Sequence, residues 1–269
     1  MELPLAFSNL SSLQQRILTA LIVLPICIAA VYYGYPYFDI LASFILFAMM
    51  REWSKMVLDQ TYHPMGYILA ALMLSFIYTD VTYKKYVQYS LILFAGSFPI
   101  HILMKKRLFD YFVFVIGTLY ISWSVYILIQ LVHEGLTRFF IWILLIIWAS
   151  DTGAYFTGRF IGGPKLAPTI SPNKTWSGFI GGCGVATLVG VLVGPYLQDF
   201  YRTPFSMAIV ACSLSLVSHM GDLLESLLKR YYDVKDTGTL LPGHGGLLDR
   251  LDSLLLVSFA AGLLLIIGY

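Results

Sequence analysis

The chain has 269 residues, of which 58% are hydrophobic and only 12% charged, and its mean hydropathy is +0.77. With 18 Phe and 19 Tyr added to that balance, an ordinary soluble domain is excluded. The net charge of +2 by itself says little about partners.

Nine apolar segments run along the chain at Ile17–Tyr33, Phe38–Met50, Met65–Thr79, Val87–Met104, Tyr111–Val132, Phe139–Phe156, Gly178–Leu197, Phe205–Met220 and Leu251–Tyr269. Most approach the roughly 20 residues that a membrane-crossing helix needs. Phe38–Met50 is short, and Tyr37 and Trp53 are expected to extend it as interfacial anchors. Long unbroken apolar runs predict helices, because barrel strands alternate. The expected fold class is therefore all-α, a polytopic integral membrane protein with about nine transmembrane helices. Nine spans would place 13 of the 17 Lys and Arg on the side of the N-terminus. The other side would hold only Lys84, Lys85, Arg138 and Arg202. By the positive-inside rule the N-terminus is then cytoplasmic and the C-terminus outside.

The first span lacks a small-residue cleavage site and is expected to stay uncleaved. Cys27, Cys183 and Cys212 lie in apolar segments without CxxC spacing, so neither a disulfide framework nor a zinc site is expected. The whole chain, 1–269, is expected to form one transmembrane domain. Residues 1–150 read as scaffold helices, with His63, His101 and His133 near span ends. Lys105-Lys106-Arg107 reads as an orientation signal or an anionic-lipid contact. Residues 151–269 read as the catalytic half, with two cytoplasmic loops over 157–177 and 221–250.

Those loops hold nearly all the unusual residues. Asp249 and Asp252 are three apart at the start of the last span, so on a helix they share a face. Two such carboxylates suit a magnesium ion that also takes phosphate oxygens; the alternative is helix capping by acids. Asp222 and Glu225 repeat the spacing, and Asp222 is a candidate third metal carboxylate. Glu225 either joins that site or pairs with Lys229 at i,i+4. Pro242-Gly243-His244-Gly245-Gly246 reads as a turn that brings backbone N–H groups close to a phosphate. His244 serves either the phosphate or the turn. Asp151, at the end of an apolar run, binds metal, ribose or base, or is a paired structural acid. Lys174 and Ser171 are candidate phosphate contacts. The glycines Gly178, Gly181, Gly182 and Gly184 read as close helix packing. Neither a Walker A motif nor a Rossmann fingerprint occurs.

The 27 residues from Ser226 to Asp252, SLLKRYYDVKDTGTLLPGHGGLLDRLD, resemble the complete signature of the phosphatidate cytidylyltransferases (CDP-diacylglycerol synthases). Matching positions are Ser226, Lys229-Arg230, Lys235-Asp236, Gly238, Leu241-Pro242, His244-Gly245-Gly246-Leu247 and Asp249-Arg250-Leu251-Asp252. DTGAYF, LAPTISP and GDLLES resemble further family patterns in the same order, so the likeness covers the C-terminal 120 residues or so. One departure stands out. The family usually reads SPKKTxEGxxGG, whereas this chain has Asn173 for a lysine and Ser177 for the glutamate.

The resemblance implies transfer of a cytidylyl group from CTP to phosphatidic acid, giving CDP-diacylglycerol and pyrophosphate. It implies magnesium on Asp222, Asp249 and Asp252, with Lys229, Arg230 and Arg250 holding phosphates. Lys174, Ser171, Asp151, Lys235, Asp236, His244, Gly245 and Gly246 would bind substrate. The expected partners are CTP, phosphatidic acid and the lipid bilayer, without nucleic acid and with a possible homodimer. The expected location is the inner (cytoplasmic) membrane, multi-pass, with the active site facing the cytoplasm. Two other readings compete. One is a CTP-dependent lipid kinase acting on a lipid alcohol. The other is a transporter using Asp151 and Asp222 as intramembrane ion sites.

Overall fold

The computed structural model describes residues 11–58, 67, 70–72, 74, 107–197, 203–243 and 245–268. Their helices are α1 (Ser12–Tyr33), α2 (Tyr37–Leu58), α3 (Leu108–His133), α4 (Thr137–Ile161), α5 (Trp176–Leu197), α6 (Pro204–Tyr231) and α7 (Leu248–Gly268). Between α4 and α5 a small antiparallel hairpin pairs β1 (Lys165–Ala167) with β2 (Ser171–Thr175), in register Lys165 to Thr175. It lies where a loop was expected. Chain signals set the helix ends. Ser11 caps α1 in a reciprocal box with Gln14, and Thr203 caps α6 with Pro204 in its first turn.

Five helices are long and apolar enough to cross a membrane: α1 from Leu13, α3, α4, α5 and α6. They make this a multi-pass membrane protein, but the expected nine spans are corrected to five among the described residues. Three reasons account for the difference. Helix α2 carries Asp39, Arg51, Glu52 and Lys55 among its apolar residues. Helix α7 is described in full only as far as Leu263, short of a whole span. The segments Met65–Thr79 and Val87–Met104 lie largely outside the described residues. The charge split that oriented the chain depended on the count of nine and falls with it. Trp53 is likewise not an interfacial anchor. It is buried and donates its indole N–H to the Phe114 carbonyl at 2.9 Å. A Cβ on Gly117 would collide with its ring, so α2 and α3 touch through a glycine.

The chain divides into two compact units. The first gathers the described residues up to Ile129, the segment Val234–Arg250 and the end of the chain. The second holds Gln130–Asp233 and Leu251–Leu264. Its core is Trp142, Ile146, Ala186 and Ala211, with the Trp142 indole donating to the Gly190 carbonyl at 2.9 Å. Helices α4 and α5 approach closely because α5 shows glycine to α4. A Cβ on Gly178 would meet the Ala154 carbonyl at 2.8 Å, and one on Gly182 the Ser150 carbonyl at 2.8 Å. Gly184 faces open space and takes no part in that contact.

Candidate functional site

In the second unit, acids from three helices come together. Asp151 lies on α4, Asp222 on α6 and Asp252 on α7. Asp252 is within electrostatic range of Asp222, Asp151 and Lys229, and Asp151 within range of Asp222 and Lys174. Lys174, carried in by β2, reaches the Asp222 carboxylate at 2.6 Å. One turn further along α6, Lys229 pairs with Glu225 at 3.1 Å, the i,i+4 arrangement that the spacing allowed. Arg230 is exposed, and its Nε reaches the Ile170 carbonyl at a long 3.4 Å. Gly221 makes this assembly possible, since a Cβ there would meet the Asp252 carbonyl at 2.8 Å.

Below the acids lies a buried polar cluster. Ser150 hydrogen-bonds to Ser215 at 2.7 Å and to the His219 ring at 3.1 Å. These bonds satisfy polar groups that an apolar interior would otherwise penalise. Ser177, which stands where the family has a glutamate, donates to the Gly162 carbonyl and lies 3.1 Å from the Thr175 hydroxyl. It ties the start of α5 to the end of α4. Ser171 is half-buried at the start of β2.

Three like charges gathered at the edge of apolar helices, with Lys174 among them, are costly unless a cation completes the set. Carboxylate oxygens suit magnesium, which is held by one or two carboxylates together with waters and substrate phosphates. The donor chemistry of Asp222 and Asp252 therefore fits that ion. Among the described residues, no three acidic, His or Cys side chains form a ready-made cage.

In the first unit, the signature loop is folded around two carboxylates. Asp249 Oδ2 accepts the N–H of Gly246 at 2.8 Å and that of Thr237 at 3.0 Å. The Gly245 N–H bonds to the Leu241 carbonyl at 3.1 Å, so both glycine donors are used inside the loop. Gly243 and Gly245 adopt φ of 75° and 90°, which side-chain-bearing residues rarely adopt. Lys235, Asp236 and Arg250 are exposed, and Asp236 lines a cavity of about 530 Å³ with Lys55, Thr237, Thr239 and Gly245. His244 lies outside the described residues.

Residues that were read as plain scaffold hold this loop. Glu52 of α2 is buried and accepts the N–H groups of Leu247 and Leu248, each at 3.0 Å. From α1, Arg16 donates to the Gly243 carbonyl at 2.8 Å and Thr19 to the Pro242 carbonyl at 3.0 Å. A signal for Glu52 was present. It is an acid at the edge of an apolar run, the criterion that singled out Asp222.

The model of the cytidylyltransferase family matches residues 14–267, nearly the whole chain. This chain belongs to that family. Among its relatives, a phosphatidate cytidylyltransferase of Rickettsia bellii is 31% identical over 253 residues, 92% of this chain and 88% of the relative. One from Brucella suis is 48% identical over 128 residues, 48% of this chain and 46% of the relative. One from Staphylococcus saprophyticus is 45% identical over 133 residues, half of each chain. The Brucella and Staphylococcus matches thus span about half the length of those cytidylyltransferases.

Proposed function

We propose that this protein transfers the cytidylyl group of CTP to phosphatidic acid, forming CDP-diacylglycerol and releasing pyrophosphate. The observation that carries the reading is the convergence of Asp151 on α4, Asp222 on α6 and Asp252 on α7 with Lys174 of β2, in a member of the cytidylyltransferase family. An acid-rich, cation-flanked site at the edge of apolar helices suits two anionic substrates, one of them a lipid.

In the proposed reaction a phosphate oxygen of phosphatidic acid attacks the α-phosphorus of CTP. The bond from that phosphorus to the oxygen bridging toward the β-phosphorus breaks, and pyrophosphate leaves with the electron pair. The attacking oxygen is already ionised at neutral pH, so no strong general base is required. The chain's work is positioning and charge neutralisation. Lys229, Arg230 and Arg250 hold phosphate groups, and Lys174 keeps Asp222 oriented while meeting anionic oxygens itself. Ser171, Asp151, Lys235, Asp236, His244, Gly245 and Gly246 contact the substrates. Asp222, Asp249 and Asp252 are the proposed magnesium ligands. When bound, that ion would neutralise the triphosphate and polarise the reacting phosphorus. The site faces the cytoplasm, where CTP is available, from the inner membrane.

The test uses purified protein in detergent with labelled CTP and phosphatidic acid, with and without magnesium. CDP-diacylglycerol and pyrophosphate formed only with magnesium are the expected products. Phosphate transferred from CTP to a lipid alcohol, with no CDP-diacylglycerol, would replace this reading with the lipid-kinase one.

A further inference from the structure

The start of α7 is capped in an unusual way. A helix N-terminus presents backbone N–H groups without intrahelical partners, and a local Ser, Thr, Asp or Asn commonly accepts one of them. Here the residues before α7 are Gly245, Gly246 and Leu247, and two of the N–H groups go to a residue nearly 200 positions away. Glu52 Oε1 accepts from Leu247 at 3.0 Å and Oε2 from Leu248 at 3.0 Å. The Thr237 hydroxyl approaches Oε2 at 3.3 Å. Two glycines make room for the carboxylate. A Cβ on Gly238 would run into Glu52, and one on Gly246 would meet its Oε2 at 2.8 Å.

The same stretch of backbone also fixes Asp249. The Thr237 and Gly246 N–H groups that grip its carboxylate belong to residues whose side chain or immediate neighbours touch Glu52. Resting on the proposed transfer reaction, we infer that Glu52 is a positioning residue: it holds the signature loop from Thr237 to Leu248 and so aims the Asp249 carboxylate. A buried carboxylate is costly when unpaired. At this helix end it meets N–H donors and the positive end of the helix dipole, so the bond pattern needs the charged, two-oxygen acceptor.

The experiment compares Glu52→Gln, Glu52→Asp and wild type for turnover, KM, thermal unfolding and amide hydrogen exchange in the peptide spanning Thr237 to Leu248. Glutamine turns an NH2 group toward one of the two backbone donors. A displaced reacting group costs about a hundredfold in rate, so Glu52→Gln is expected to lose about that factor in kcat. Its KM for CTP and phosphatidic acid should stay within about threefold. Glu52→Asp, which keeps the charge, should recover about tenfold of the loss. Amides at Leu247 and Leu248 should exchange faster in Glu52→Gln. Turnover within threefold of wild type, with unchanged exchange, would overturn the inference.

If Glu52→Gln does not fold, Thr237→Val replaces it, exchanging the hydroxyl that approaches the carboxylate for a methyl group of similar size. A drop of a few-fold in kcat at constant KM supports the inference, and wild-type kinetics overturn it. Should wild type form no CDP-diacylglycerol, the functional reading fails. Exchange at Leu247 and Leu248 then still decides whether Glu52 holds the loop.

Discussion

Replacing Gly182 with alanine puts one methyl group where α5 meets both α4 and α6 in the second unit. The added Cβ would lie 2.8 Å from the Ser150 carbonyl, 2.8 Å from His219 Nε2 and 3.1 Å from the Ala154 Cβ. Ser150 and Ala154 belong to α4 and His219 to α6, so two helices must yield at once. The carbonyl cannot rotate away as a flexible side-chain end would. Overpacking of this kind costs about 1–3 kcal/mol, against a helix-propensity gain of about 0.5–1 kcal/mol for glycine to alanine. The net expectation is a loss of about 1–2 kcal/mol. Ser150 and Asp151 are consecutive, and His219 is one turn from Asp222, so the shift also moves the acids. Turnover should fall about tenfold. Gly184→Ala is the control, because nothing lies within 4 Å of its Cβ and only the propensity gain applies. The assay is unfolding temperature in detergent alongside CDP-diacylglycerol formation. A Gly182→Ala protein as stable and active as Gly184→Ala would refute the packing argument.

Three further substitutions test the site. Lys174→Met leaves Asp222 among like charges. With side chains 22% and 35% exposed, the loss is discounted to about 1–2 kcal/mol in stability. Turnover should fall at least tenfold, whereas Lys174→Arg keeps the pair; equal kinetics for all three proteins would remove Lys174 from the machinery. Asp249→Asn can keep an oxygen where the Gly246 and Thr237 N–H groups donate but removes the charge that strengthens those bonds and would hold a cation, about 1–3 kcal/mol. Activity should all but vanish with the helices intact by circular dichroism; turnover like wild type would discard its proposed metal role. Ser177→Ala removes the tie to the Gly162 carbonyl and the contact with the Thr175 hydroxyl, about 1–2 kcal/mol in all, so turnover should stay within threefold. A hundredfold loss there would mean that the hydroxyl does the chemistry of the missing glutamate.

The spans were legible wherever apolar residues ran without interruption, as over Tyr111–Val132, which the structure extends only to Leu108–His133. The packing of the second segment was not legible, because hydropathy cannot say where a buried acid sits. Asp39 and Glu52 are 2% and 5% exposed, so α2 packs its acids inward while Arg51 and Lys55 stay exposed, instead of presenting a uniform apolar surface to lipid. The end of α6 was placed too early for the opposite reason. Counting GDLLESLLKRY in a loop over 221–250 does not follow through the helical spacing that Asp222, Glu225 and Lys229 already show in the sequence, and Glu225 with Lys229 prolongs the helix to Tyr231. The hairpin from Lys165 to Thr175 was hidden by its prolines, which argue against strands. Here the pairing is short, and Pro172 sits in β2, a strand with a single partner.

Glycine carries more of the site than the sequence motif alone conveys. Each unit uses it to admit a polar group where a Cβ would exclude it. On α5, Gly182 leaves space for the Ser150 carbonyl and the His219 ring, the cluster beneath Asp151 and Asp222. In the signature loop, Gly238 and Gly246 leave space for Glu52, whose bonds set the start of α7. The two uses differ in what fills the gap. One is helix backbone and a ring, felt chiefly as packing; the other is a carboxylate, felt chiefly as hydrogen bonding. A glycine-rich motif in this chain therefore marks where another element's polar atom must arrive. That is why its meaning emerged only once Glu52, far away in the first half, was seen to fill the space.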